Sequence, residues 1–197
     1  MIKLFIGSIA AAIAMFVAAF LYFAGPLSMV AYSTASESQS AAVQAALAAN
    51  LPETGTYMVP NPATQSGTIL YGKGPVATVH FNTGGFPVES TEALLWGFIL
   101  YFAVALLIAA ALSQLGSRVP DFRSRATVVI LFAIAMPALS ILSDPISIHQ
   151  DWTYSIFGYV GTVLILGIGG LFIARWFMPS APAQAKETAG GEEIGAA

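Results

Sequence analysis

The sequence predicts an all-α membrane protein, a four-helix transmembrane bundle with a small α+β extracytoplasmic insertion between helices one and two. Three observations predict it: the composition, four apolar runs of bilayer length, and the uneven placement of the basic residues. Of 197 residues, 57% are hydrophobic and 9% charged, where a soluble domain carries about 25% charged residues. A mean hydropathy of +0.77 makes lipid the solvent for much of the chain. The net charge of −3 and the absence of a basic stripe argue against a nucleic-acid partner. There is no cysteine, so disulfides, thiolate metal sites and a cysteine nucleophile are excluded.

A hydrocarbon core about 30 Å thick needs about 20 apolar residues in a helix. The first such run is Leu4 to Phe23, ended by Gly25-Pro26. Its apolar core exceeds the about 7–15 residues of a signal peptide. It is therefore read as a retained signal anchor rather than a leader cleaved at Ser33-Thr34-Ala35. The second run is Ala93 to Gln114. The third is Ala126 to Ser143, ended by Asp144-Pro145, and the fourth is Tyr154 to Trp176. Short connections join runs two, three and four, as antiparallel neighbours require. The expected organisation is helix one over 1–24, the insert over 25–92, helices two to four over 93–178, and a disordered cytoplasmic tail over 179–197.

Basic residues hold the cytoplasmic side of a membrane protein. The seven here are Lys3, Lys73, Arg118, Arg123, Arg125, Arg175 and Lys186. With both termini in the cytoplasm, only Lys73 lies outside. Trp96 and Trp152 then mark the outer interface and Trp176 the inner one. The expected location is the bacterial inner (cytoplasmic) membrane.

Small residues let helix backbones approach closely in lipid. Gly7, Ala11, Ala14 and Ala18 form such a stripe on run one, and Gly158, Thr162 and Gly169 on run four. The two runs are expected to pack through these stripes, within one chain or across a homo-oligomer. Pro137 should kink run three and free the carbonyl of Ala133.

Within the insert, Ser36-Glu37-Ser38-Gln39 has the form of a capping box and predicts a helix of about 12 residues. Asn50-Leu51-Pro52 ends it. Three short strands are expected, at Thr56 to Val59, Thr68 to Tyr71 and Val76 to Phe81, with Gly72-Lys73-Gly74-Pro75 as the turn between the last two. So small a unit without disulfides buries little surface alone. Leu27, Met29, Val30 and Tyr32 are candidates for the contact it needs.

Leu51-Pro52-Glu53-Thr54-Gly55 resembles the sortase signal of Gram-positive wall-anchored proteins in all five letters. That signal stands near a C-terminus, just before one hydrophobic span and a basic tail. Here three apolar runs follow, and a helix stop with a glycine turn accounts for Pro52 and Gly55.

The apolar runs hold no ionisable residue deep in their cores. Intramembrane charges are the usual mark of proton relays and ion pathways, so a proton-coupled pump is disfavoured. Arg118, Asp121, Arg123 and Arg125 crowd the inner loop, where they set orientation and can meet anionic lipid headgroups. The two histidines, His80 and His149, fall outside, and with Asp144 and Asp151 they form a candidate site for a divalent metal. No motif for an organic cofactor is present.

Three functional readings follow. The first is a non-enzymatic accessory or scaffold protein, contacting a membrane-protein partner through its outer domain and helix faces. The second is a binding or transport module for a small apolar or lipid-like ligand between the helices, which a deep cavity there would favour. The third is a membrane enzyme or metal-binding protein using His80, Asp144, His149 and Asp151.

Overall fold

A computed structural model describes residues 2–116 and 118–178. The tail expected over 179–197 lies outside the described residues. The chain divides into two compact units, Met1–Ala31 with Glu92–Ala197, and Tyr32–Thr91.

The first unit is helical. Helix α1 (Ile2–Ala19) continues as a π-helical turn, Phe20–Ala24, and stops at Gly25, whose backbone is extended. Pro26 then opens a 3-10 turn, Pro26–Val30, in the first-turn position that proline tolerates. The remaining long helices are α4 (Thr91–Gln114), α5 (Phe122–Ile141) and α7 (Trp152–Trp176). All four are long and apolar enough to cross a membrane.

Helix α5 starts four residues ahead of the expected Ala126. The Asp121 side chain caps it, accepting from the Ser124 backbone N–H at 3.0 Å. Arg123 and Arg125 thereby enter its first turns. Asp144 and Pro145 do not close the helical region as expected. They sit in a further helical turn, α6 (Ser143–Ser147), after the break at Leu142. Pro137 lies inside α5, which runs on to Ile141. One turn before it, the Ile134 carbonyl accepts a hydrogen bond from the Tyr159 hydroxyl of α7 at 3.2 Å.

Helix α7 is the centre of this unit. Both α1 and α5 pack against it with close backbones, and no other pair of long helices comes together to a comparable extent. The reason lies in the small residues. An added Cβ at Gly169 would run into the Met15 side chain of α1. At Gly161 it would sit 2.5 Å from the Tyr22 ring, and at Gly170 2.5 Å from Val129 of α5. The expected α1–α7 packing is therefore present at Gly169. Gly158 is corrected: its nearest neighbour is Ile141 of α5, at an ordinary 3.9 Å. The buried face of α1 also differs from the expected stripe. It comprises Gly7, Ser8, Ala11, Ala12, Met15 and Ala19, with Ala14 and Ala18 only half-buried. A straight helix of 3.6 residues per turn drifts off a strict seven-residue repeat, which moves the seam.

Helix α4 meets α1 through rings rather than backbones. Phe102 packs edge-on against Phe5 at 5.6 Å, and Phe98 and Tyr101 against Phe16 at 6.0 and 6.2 Å. Ala105, Ala109 and Leu112 complete its contribution to the core.

The second unit holds α2 (Glu37–Asn50), β1 (Gly55–Val59), α3 (Gln65–Lys73) and β2 (Ala77–Phe81). The capping box is formed as predicted. Ser36 Oγ accepts from the Gln39 N–H, and Gln39 Oε1 accepts from the Ser36 N–H. Strands β1 and β2 pair antiparallel, with Tyr57 opposite Val79 and Thr56 opposite His80. The strand expected at Thr68 to Tyr71 is instead helical. Thr64 Oγ1 caps α3 by accepting from the Gly67 N–H at 3.0 Å. Gly74, at φ 68°, ends it in the left-handed region that favours glycine. The residues expected to form a hairpin turn, Gly72 to Pro75, are thus a helix end.

Candidate ligand-binding cleft

Because α4 stands off on its aromatic contacts, a cleft opens between it, α5 and α7. Its volume is about 360 Å³. Leu107, Ala111 and Leu115 form one wall, Val128, Phe132 and Met136 the second, and Leu166 and Gly170 the floor. Every lining residue is apolar. Leu107, Phe132 and Met136 remain more than 60% exposed, so the cleft is open along its side rather than sealed. It has nothing that would bind a charged solute by hydrogen bonding, and it suits a flexible hydrocarbon.

The α4–α5 connection is built on Arg125. This side chain is 4% exposed. Its Nε donates to the Val119 carbonyl at 2.9 Å and its Nη2 to the Pro120 carbonyl at 2.8 Å. The guanidinium fork matches two adjacent acceptors in a way an ammonium cannot. A buried charge is costly unless it is hydrogen-bonded in this manner, and here the bonds fix the α4–α5 connection. Asp121 is engaged next to it: Ser124 donates to it from both its hydroxyl, at 2.6 Å, and its backbone N–H. These bonds hold the Asp121 carboxyl below the usual carboxylate range, the hydroxyl contributing most. Arg175, at the end of α7, lies over the Phe122 ring with its guanidinium carbon 5.6 Å from the centroid. Arg118 and Arg123 are exposed.

The candidate metal residues are placed as follows. His80 is on β2, exposed, with Nδ1 3.1 Å from the Thr56 hydroxyl across the strand pair. His149 has a left-handed backbone, φ 57°, between α6 and α7. Asp151 caps α7 by accepting from the Tyr154 N–H at 2.8 Å. The Asp144 carbonyl accepts from the Ile148 N–H at 2.9 Å. Among the described residues, no group of three or more His, Asp or Glu side chains is positioned to hold a metal ion. The Leu51–Gly55 segment is a helix cap running into a strand: Leu51 caps α2 and Gly55 pairs with Phe81.

The cleft itself has no signature in the sequence. Its residues are those any lipid-facing helix would carry, and only the spacing of α4 from α5 makes them a site. Comparison with known proteins adds nothing to this geometry: no family model, curated protein or solved structure matches the chain.

Proposed function

We propose that this chain is a multi-pass membrane protein, with both termini on the cytoplasmic side, that binds an apolar or lipid-like ligand between α4, α5 and α7. The observation that carries the reading is the cleft of about 360 Å³ with a wholly apolar lining. Sites for small molecules are usually concave and mostly apolar. The absence of ionisable groups from the cleft wall favours holding a neutral chain over moving a charged solute. A photoreactive fatty-acyl probe, incorporated into membranes containing the protein, tests this. Labelling should map to Leu107, Ala111 and Phe132. Labelling spread evenly over the exposed faces of all four helices would contradict it.

A second reading, an accessory protein that docks a partner through its outer unit, is supported by a separate observation. In the Tyr32–Thr91 unit only Gly67 is buried, while Val43, Ile69, Phe86 and Val88 are exposed. A partner that covered these side chains would take them out of water. A partner retained in mild detergent by the wild type, and lost from an Ile69→Asp/Phe86→Asp variant, is the outcome this reading requires.

A further inference from the structure

A second cavity lies between α1 and α4 and shares no lining residue with the cleft. Its volume is about 270 Å³. Phe16, Phe20, Phe23 and Tyr101 wall it with rings, and Leu94 and two alanines complete the lining. The sequence explains the space. Leu94, Gly97 and Tyr101 follow one another at spacings of three and four, so they share one face of α4. Side chains on a helix lean toward its N-terminus, which tilts the Tyr101 ring over the turn of Gly97, where no side chain stands. An added Cβ at Gly97 would meet only Phe16 within 4 Å, at an ordinary 3.8 Å. On the other side, Phe20, Phe23 and Ala24 belong to the π-helical turn that ends α1. Turns of this kind are rare and are frequently found at functional sites.

The one polar side-chain group among the lining residues is the Tyr101 hydroxyl. Tyr101 stands ten residues after Thr91, the first residue of α4, about 15 Å along the helix at 1.5 Å per residue. That is near the middle of a hydrocarbon core of about 30 Å. Water is absent at such a depth, and a hydroxyl without a hydrogen bond is costly there. Tyr22 and Tyr159 meet that cost within the protein, donating to the Phe157 and Ile134 carbonyls of facing helices. The Tyr101 ring packs edge-on against Phe16 at 6.2 Å, but among the described residues its hydroxyl has no hydrogen-bond partner. A cavity of about 150 Å³ admits benzene, so this larger one admits a substituted ring. Ring walls favour a further ring, offset or edge-on. The hydroxyl requires an acceptor oxygen on that ring, and the lack of a charged lining residue requires the ring to be neutral.

We infer that the α1/α4 cavity binds the ring of a neutral, lipid-soluble carbonyl compound of the quinone class, with the Tyr101 hydroxyl donating to a ring carbonyl and Phe16, Phe20 and Phe23 packing against the ring. The inference takes α4 as a membrane span and does not depend on the cleft. Phe20 is 56% exposed, so the cavity is open to lipid on one side, the route by which such a compound enters. The hydrogen bond contributes about five- to tenfold in affinity.

The test uses the full chain in mild detergent, titrated with decylbenzoquinone or decylbenzene and followed by isothermal titration calorimetry. The two probes match in ring size and tail and differ in the carbonyls, and the chain has no cysteine to add to the quinone. The wild type should bind the quinone about five- to tenfold more tightly than decylbenzene. Tyr101→Phe, which keeps the ring and removes the donor, should bring the two probes level. Leu94→Trp at a half-exposed position, and independently Gly97→Leu, should weaken both by filling the cavity, while Ala111→Phe in the cleft leaves both unchanged. Equal binding of the two probes by the wild type, or quinone binding unchanged by Tyr101→Phe, would overturn the inference. So would an absence of quinone binding, or quinone binding untouched by either filling variant. Quinone binding lost in Ala111→Phe and kept in Leu94→Trp would also overturn it, by placing the ring in the α4/α5/α7 cleft, and would leave the apolar-ligand reading of that cleft standing.

Discussion

Gly161→Ala is the perturbation whose outcome the packing specifies most closely. The added methyl would lie 2.5 Å from Tyr22 Cε1 and 2.7 Å from Phe23 Cζ. Neither ring can retreat freely. Tyr22 stacks on Phe157 at a centroid distance of 4.5 Å, and its hydroxyl donates to the Phe157 carbonyl at 3.0 Å. Phe23 packs edge-on against the same Phe157 at 5.6 Å. Overpacking costs about 1–3 kcal/mol, and breaking the Tyr22 hydrogen bond about 0.5–1.5 kcal/mol. Against this, replacing glycine by alanine inside a helix gains about 0.5–1 kcal/mol. The net is a loss of about 0.5–4 kcal/mol, centred near 2 kcal/mol. Gly167, on the same helix, has nothing within 4 Å of an added Cβ, so Gly167→Ala should show only the helix gain. Thermal melts of both variants in one detergent provide the assay. At about 2–4 °C per kcal/mol for a chain of this length, Gly161→Ala should melt several degrees below the wild type and Gly167→Ala at or slightly above it. Gly161→Ala melting at or above Gly167→Ala would refute the close α1–α7 seam.

Three further outcomes are expected. An extracytoplasmic-only reporter fused after Ser180 should be inactive and one inserted within Pro60 to Gly67 active; the reverse pattern would overturn the proposed orientation. Arg125→Ala should strip the donors from the Val119 and Pro120 carbonyls at a cost of about 1–3 kcal/mol, and Arg125→Lys should restore little of it; the check is the rate of proteolysis between Leu115 and Asp121, and unchanged rates in both variants would contradict the structural role. The Asp121 carboxyl, lowered from 3.8 by its Ser124 bonds, strengthens the start of α5 above that pH, a contribution lost as pH falls through the depressed value. The Ser124 amide resonance should accordingly titrate below pH 3.8; a midpoint at or above it would contradict the cap.

How much of this was legible in the sequence depends on the range of the interaction. The four long helices rest on length and apolarity, which one segment displays by itself. The α2 start was equally local, because Ser36 and Gln39 satisfy each other. The error at Thr68 to Tyr71 shows a weak local signal giving way to two stronger ones. Four residues of strand-like composition suggest β, while the Thr64 cap and the left-handed Gly74 bracket a helix. Both flanking signals were present in the sequence. The glycine seam was legible only in kind. Small residues on run four implied close packing, but which ones face α1 depends on how α7 is rotated: Gly161 and Gly169 do, and Gly158 faces Ile141. The cleft was not legible at all. Nothing in Leu107, Ala111 or Phe132 distinguishes a site from a lipid-facing surface until the aromatic pairs of α1 and α4 set the helix spacing.

The measurement that bears most directly on the proposed function is the lipid that stays with the protein when it is extracted from its own membrane. Wild type and Ala111→Phe, purified identically in mild detergent and extracted with organic solvent, should differ by about one lipid per chain, retained by the wild type and missing from the variant. Equal lipid content in the two, with the variant shown by its melt to be folded, would contradict the cleft as a binding site.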